Sequence, residues 1–146
     1  MTLVELVISI SIILLISTLC FPKLNINKYK IDLFTKQLCS DIRYIRNENM
    51  LGNLNAYIYY NNDKINSYIV RNDGKDLKKV TLPKETKLSY DQSRIRFKRD
   101  GTPDPKGQTI IIYNKDVKKE ITIVPVSGRV LLKEGKYETE KRIFTD

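Results

Sequence analysis

With 146 residues the chain has room for one domain behind an N-terminal segment, and its 26 Lys and Arg against 17 Asp and Glu leave a formal charge of +9. That charge favours anionic partners (nucleic acid, acidic lipid or an acidic surface), although much of it is lysine scattered through loops, which reads equally as a solvated surface. Histidine is absent and there are only two cysteines, so the commonest acid–base and metal-binding side chain is missing and no zinc cluster can be built. No nucleophile elbow, phosphate-cradling glycine loop or metal-ligand spacing appears either. An enzyme is disfavoured, and no cofactor or metal is expected.

Residues 1–22 form the first element. Met1-Thr2-Leu3-Val4-Glu5-Leu6 opens a run with no charged residue between Glu5 and Lys23. As a helix this stretch is about 33 Å long, close to the roughly 30 Å of bilayer hydrocarbon. One carboxylate inside such a span costs roughly 2.5–3.5 kcal/mol on insertion scales, so it calls for a partner and a purpose. A secretory signal peptide needs basic residues ahead of the run and small residues at a cleavage site. Here nothing basic precedes Lys23, and Thr18-Leu19-Cys20-Phe21-Pro22 is a poor site, for a lipoprotein as well, because bulky Leu19 precedes Cys20. A plain membrane anchor is the stronger rival, as for a surface adhesin or sensor. Yet Lys23, Lys28 and Lys30 follow the span, which by the positive-inside rule would hold the rest of the chain in the cytoplasm. A short basic leader ahead of Met1, removed on the cytoplasmic side, resolves that conflict and leaves Glu5 with a function.

Pro22 lacks an N–H and is expected to kink the helix at the membrane exit. Over residues 23–52 the pattern turns amphipathic. Leu24, Ile31, Phe34, Leu38, Ile42 and Ile45 make one apolar stripe, while Lys30, Asp32, Lys36, Asp41, Arg43 and Arg46 fill the other faces. Gly52 reads as the stop, so the helix runs from near residue 2 to about residue 51. On it Cys20 and Cys39 lie about 28 Å apart, beyond disulfide reach.

Residues 53–146 switch to a period of two. Ala56–Tyr60, Ser67–Arg71, Lys78–Leu82, Lys87–Tyr90, Arg94–Lys98, Thr109–Tyr113, Glu120–Val124 and Gly128–Leu132 read as short strands rich in Ile, Val and Tyr. Asn61-Asn62-Asp63, Asn72-Asp73-Gly74, Asp100-Gly101 and Asn114-Lys115-Asp116 supply the turns. The expected fold is α+β: a long N-terminal helix, hydrophobic and then amphipathic, packed on a C-terminal antiparallel β-sheet domain.

The segment Thr2-Leu3-Val4-Glu5-Leu6 resembles the mature N-terminus of type IV pilins and pseudopilins, where a leader ending in glycine precedes Phe-Thr-Leu-x-Glu, and Pro22 falls where many of them have proline. Met1 departs from the usual phenylalanine: either the mature chain begins with methionine or Met1 is an initiator. Later segments extend the resemblance: Ile95-Arg96-Phe97-Lys98-Arg99-Asp100-Gly101-Thr102, Thr109-Ile110-Ile111-Ile112-Tyr113, Ile121-Thr122-Ile123-Val124 and Ser127-Gly128-Arg129-Val130 follow in the order found in the GspH/FimT branch of minor pilins and pseudopilins.

The resemblance implies a single-pass subunit of the cell membrane with its C-terminal domain extracytoplasmic, later built into an extracellular pilus or pseudopilus, near the tip where assembly begins. It implies a prepilin peptidase that processes and methylates the residue at position 1, here Met1, an inner-membrane assembly platform, and other pilins or pseudopilins as partners. Leu3, Glu5 and Leu6 would serve subunit assembly, with Glu5 meeting the N-terminal amine of a neighbour in a low-dielectric core. The tip-crowning subunit of such filaments lacks this glutamate, so its presence argues against that role. Two alternatives stand beside this one: a type II secretion pseudopilin, and a minor pilin that binds DNA in a competence pilus. FimT-type subunits use a Gly-Arg-x-Arg element for DNA. This chain has Gly128-Arg129-Val130-Leu131 without the second arginine, leaving Arg129, Lys133, Lys136, Lys141 and Arg142 as candidate phosphate contacts.

Overall fold

The computed structural model describes residues 2–20, 26–61 and 67–135. Among them are two helices, α1 (Leu3–Cys20) and α2 (Ile26–Met50), and nine strands: β1 (Tyr57–Asn61), β2 (Ser67–Asn72), β3 (Lys75–Thr81), β4 (Lys87–Ser89), β5 (Arg94–Phe97), β6 (Pro103–Asp104), β7 (Thr109–Tyr113), β8 (Lys118–Ile123) and β9 (Val130–Gly135). Pro22, the expected kink, lies outside the described residues.

No glycine or proline interrupts α2, and its end is chemically defined. Gly52, at φ 102°, donates its N–H to the Asn49 carbonyl, and Asn53 donates to that of Glu48. This is the paired arrangement that closes a helix on a left-handed glycine. Ile31, Phe34, Leu38, Ile42 and Ile45 are all buried, facing β1, β5, β8 and β9. Each such side chain contributes about 1.5–3 kcal/mol. Cys39 is buried beside them, and burial pushes its thiol up from its ordinary value, so it acts as a small hydrophobe.

The strands form two antiparallel sheets, ordered β3-β2-β1-β5-β6 and β4-β7-β8-β9. Ile58, Tyr60, Tyr68, Val70, Ile95 and Phe97 of the first and Ile110, Ile112, Ile121, Ile123 and Val130 of the second join one core with the helix stripe. Alternation along β1, β5, β7 and β8 delivers these side chains inward.

Several strands differ from their expected limits, each for a local reason. Asp73 and Gly74 take positive φ in a two-residue turn, with Asn72 opposite Lys75, so β3 begins at Lys75 rather than Lys78. Gly128 takes φ 62° in a turn, so β9 begins at Val130. The short β6 was not expected; it pairs Pro103 with Phe97 at a sheet edge, where proline needs no ladder donor.

Nor are the polar residues of α2 merely a solvated face. Asp41 is nearly buried and accepts hydrogen bonds from Tyr68 (2.6 Å), Gln37 (3.0 Å) and Lys78 (3.0 and 3.1 Å). Burial and that bond to Asp41 push the Tyr68 phenol far above its usual value, keeping it a donor. Asp32 pairs with Lys36 and with the buried Lys119 of β8, both at 3.0 Å. Asn49, fully buried, accepts from the Phe97 N–H (2.7 Å) and donates to the carbonyls of Asn53 (2.7 Å) and Ala56 (2.9 Å).

Two outcomes follow from these contacts. Asn49→Ala strands the Phe97 N–H and the Ala56 carbonyl in the core, while the Asn53 carbonyl still accepts from the Ala56 N–H, and should lower unfolding free energy by about 2–4 kcal/mol, measured by urea unfolding with tyrosine fluorescence. Hydrogen bonds from Lys119 and then Lys36 hold the Asp32 carboxyl below its ordinary range. A depressed folded-state pKa adds stability that is present above the unfolded value of about 3.9 and is lost as pH falls through the folded one. Asp32→Asn should therefore be less stable at neutral pH and show a shallower loss of stability below about pH 4, read as urea midpoints across a pH series.

Candidate functional site

α1 stands apart from the sheets. Every residue from Thr2 to Thr18 is exposed, including Leu3 at 81% and Leu6 at 47%. Its hydroxyls do not break the apolar surface. Ser9, Ser11 and Ser17 donate back to the carbonyls of Glu5, Val7 and Ile13, and Thr18 to that of Leu15, at 2.7–2.8 Å. Donors satisfied within the helix suit an apolar surrounding. A helix apolar all round has to be covered by something. Among the described residues no helix is long and apolar enough to cross a membrane; α1 has 18 residues, about 27 Å against roughly 30 Å of hydrocarbon.

Glu5 has a local role that the sequence reading missed. The Thr2 N–H donates to Glu5 Oε2 at 2.9 Å, and the Glu5 N–H donates to Thr2 Oγ1 at 3.3 Å. Thr2 is thus the N-cap and Glu5 the third helical residue of a capping box, with the carboxylate favourably placed at the positive end of the helix dipole. Thr-x-x-Glu ahead of an apolar run carried that signal. Met1 lies outside the described residues.

In the head, Ser127 and Gly128 have an architectural role. Arg46 donates from Nε to the Gly101 carbonyl and from Nη2 to the Ser127 carbonyl, both at 3.1 Å. It thereby clamps two turns that each need a left-handed glycine, Gly101 at φ 79° and Gly128 at φ 62°. A Cβ on Gly128 would sit 1.9 Å from the Gly101 carbonyl oxygen.

Arg129, by contrast, is exposed, and lines a groove of about 700 Å³ between α2 and the β8–β9 turn with Ser40, Arg43, Tyr44, Arg46 and Asn47. Among the described residues no carboxylate lines it. Of the candidate DNA contacts, Arg129 and Lys133 are exposed; Lys136, Lys141 and Arg142 lie outside the described residues. The structure therefore places Arg129 with arginines of α2. Arg43 and Arg46, set among solvated positions by their helical spacing, were missed because nothing local marks their partners 55 to 87 residues away.

Gly128→Ala should cost about 2 kcal/mol or more, combining the left-handed backbone with a clash against a carbonyl. A urea midpoint unchanged from the parent would show that the turn is not held as described.

No family model and no curated protein matches the sequence. Two solved structures of the type IV minor pilin FimU from Pseudomonas aeruginosa, in different crystal forms, match the fold. One has a TM-score of 0.53 at 20% identity, covering 67% of this chain and 88% of that one. The other has a TM-score of 0.55 at 18% identity, covering 75% and 89%. At such identities the likeness is one of architecture: an N-terminal helix packed on an antiparallel sheet domain, the fold of a type IV minor pilin.

Proposed function

We propose that this chain is a minor pilin-type subunit of the GspH/FimT kind, stored in the cell membrane through its N-terminal segment and then assembled through α1 into a type IV pilus-like filament, near the tip where assembly starts. The observation that carries this is α1 itself, an exposed helix apolar on every side with one carboxylate in its first turn, attached to a head with a minor-pilin fold. A soluble domain has no use for such a surface; a lipid bilayer and a bundle of like helices can each cover it. Uncharged sequence continues past Cys20 to Lys23, and the storage state would draw on it. Processing and methylation at Met1 by a prepilin peptidase, and extraction by an inner-membrane platform, belong to the same proposal. The role is structural rather than catalytic.

In the filament Glu5 keeps its cap through Oε2 and offers its remaining acceptor sites to the N-terminal amine of a neighbouring subunit. A paired charge is tolerable in a low-dielectric core and an unpaired one is not. The pair would set axial register more than add stability. The capping box makes this separable by mutation, because glutamine at the third helical position still caps but carries no charge. Glu5→Gln should keep α1 helical and the subunit at its normal level in membranes, yet be lost from sheared filaments, as should Glu5→Ala. Immunoblots of sheared and membrane fractions give the readout; Glu5→Gln filaments at the parental level would reduce Glu5 to a capping residue.

A further inference from the structure

We propose that the groove between α2 and the β8–β9 turn receives an acidic segment of an adjacent filament subunit, its carboxylates held by Arg43 and Arg129. This inference rests on the filament reading above and names a second contact within it.

The groove is built for anions. Arg46 is committed to the Gly101 and Ser127 carbonyls, and Arg43 donates from Nη2 to the Val130 carbonyl at 3.3 Å, which fixes the guanidinium while leaving other N–H groups to the groove. The Arg129 side chain makes no hydrogen bond or ion pair with any described residue. Several other cations of the head are neutralised close by: Arg71 by Asp76, Arg96 by Asp104, Lys78 by Asp41. Arginines gathered without a carboxylate repel one another and gain most from a bidentate acidic partner.

Position on the helix selects the occupant. The exposed residues Ile26, Tyr29 and Leu33 recur at three- and four-residue spacing, and Ser40, Tyr44 and Asn47 continue the same outward face of α2. The face is apolar over its first turns and becomes basic beside the groove. Packing of α1 and lower α2 against neighbours brings the groove to a subunit boundary, where a long polyanion would be shut out. Among the described residues the basic track is also short. Past Leu131, Lys133 stands opposite Glu120 in the β8–β9 register, and on α2 the next turn brings Glu48, which accepts from Asn72. A polynucleotide contacts phosphates over a longer path; a few carboxylates fit the short one.

The test uses the full chain in cells that assemble the filament. Arg129→Glu, alone and combined with Asn47→Glu, should cut the ratio of sheared to membrane-bound subunit by about tenfold or more, equivalent to about 1.4 kcal/mol, with the thermal melt of the subunit unchanged. Arg129→Ala, which removes no described contact, should act in the same direction, and Arg129→Lys should lose less. Incorporation of Arg129→Glu and Arg129→Ala at the wild-type ratio overturns the proposal. Absence of the wild-type chain itself from filaments is a different result, which removes the filament reading and this contact with it. Labelled single- and double-stranded oligonucleotides, offered to the full chain in detergent, form the last arm. Binding that needs Arg129, with incorporation untouched, would reassign the groove to nucleic acid and overturn the acidic-subunit partner.

Discussion

The structure depends on the two-sidedness of α2. Neither sheet can close a core alone: each offers one apolar face, and the two faces meet over the stripe from Ile31 to Ile45. Apolar burial fixes that the helix lies there but says little about its rotation or height, because hydrophobic contact is non-directional. Direction comes from polar anchors set along the helix. Asp32 reaches β8, Asp41 reaches β2 and β3, Arg43 reaches β9, Arg46 reaches two turns, and Asn49 reaches β5. The buried ones, Asn49 and Asp41, are expensive to leave unmade and therefore specify one arrangement.

This division explains what was legible in the amino-acid sequence. The α2 stripe, the switch to a period of two after Gly52 and most strands could be read because they are local, periodic signals. The anchors could not. Asp41 looks like any acidic residue of a solvated face until Tyr68 and Lys78, 27 and 37 residues later, are folded onto it. Arg46 needs partners 55 and 81 residues away. Strand limits failed for a related reason, since positive-φ turns at Asp73-Gly74 and at Gly128 decide where pairing starts. In the Gly128-Arg129 pair, Gly128 is there because a carbonyl lies where its Cβ would be, while Arg129 projects outward.

Glu5 shows the opposite limit. Its resemblance to a pilin glutamate was plain, and its capping box with Thr2 was equally present in the residues. The two roles do not compete in energy. A carboxylate has about four lone-pair sites, and bonding to the Thr2 N–H and hydroxyl leaves others for a cation. Capping orients the side chain along the first turn, so the charge stays near the end of the helix instead of sinking into its apolar surface. A buried ion pair is useful only where both groups are positioned beforehand; for the ion pair proposed for Glu5, the cap would supply half of that positioning.

The exposed surface of the two helices then divides labour in a way that apolar contact alone cannot. Lipid tails are as apolar as Leu and Ile, so moving α1 from a bilayer to a bundle of like helices yields little hydrophobic gain, and side-by-side sliding costs little. Register and partner choice have to come from the few polar points on that surface. Glu5, in the filament proposed above, would be one, in the first turn of α1; the arginine groove, in the proposal made for it, is another, beside the C-terminal half of α2. Two such points, one on each helix, constrain a neighbour more than a single ion pair does. A subunit with this pair of contacts would tolerate many substitutions along the apolar stretch between them and few at either end.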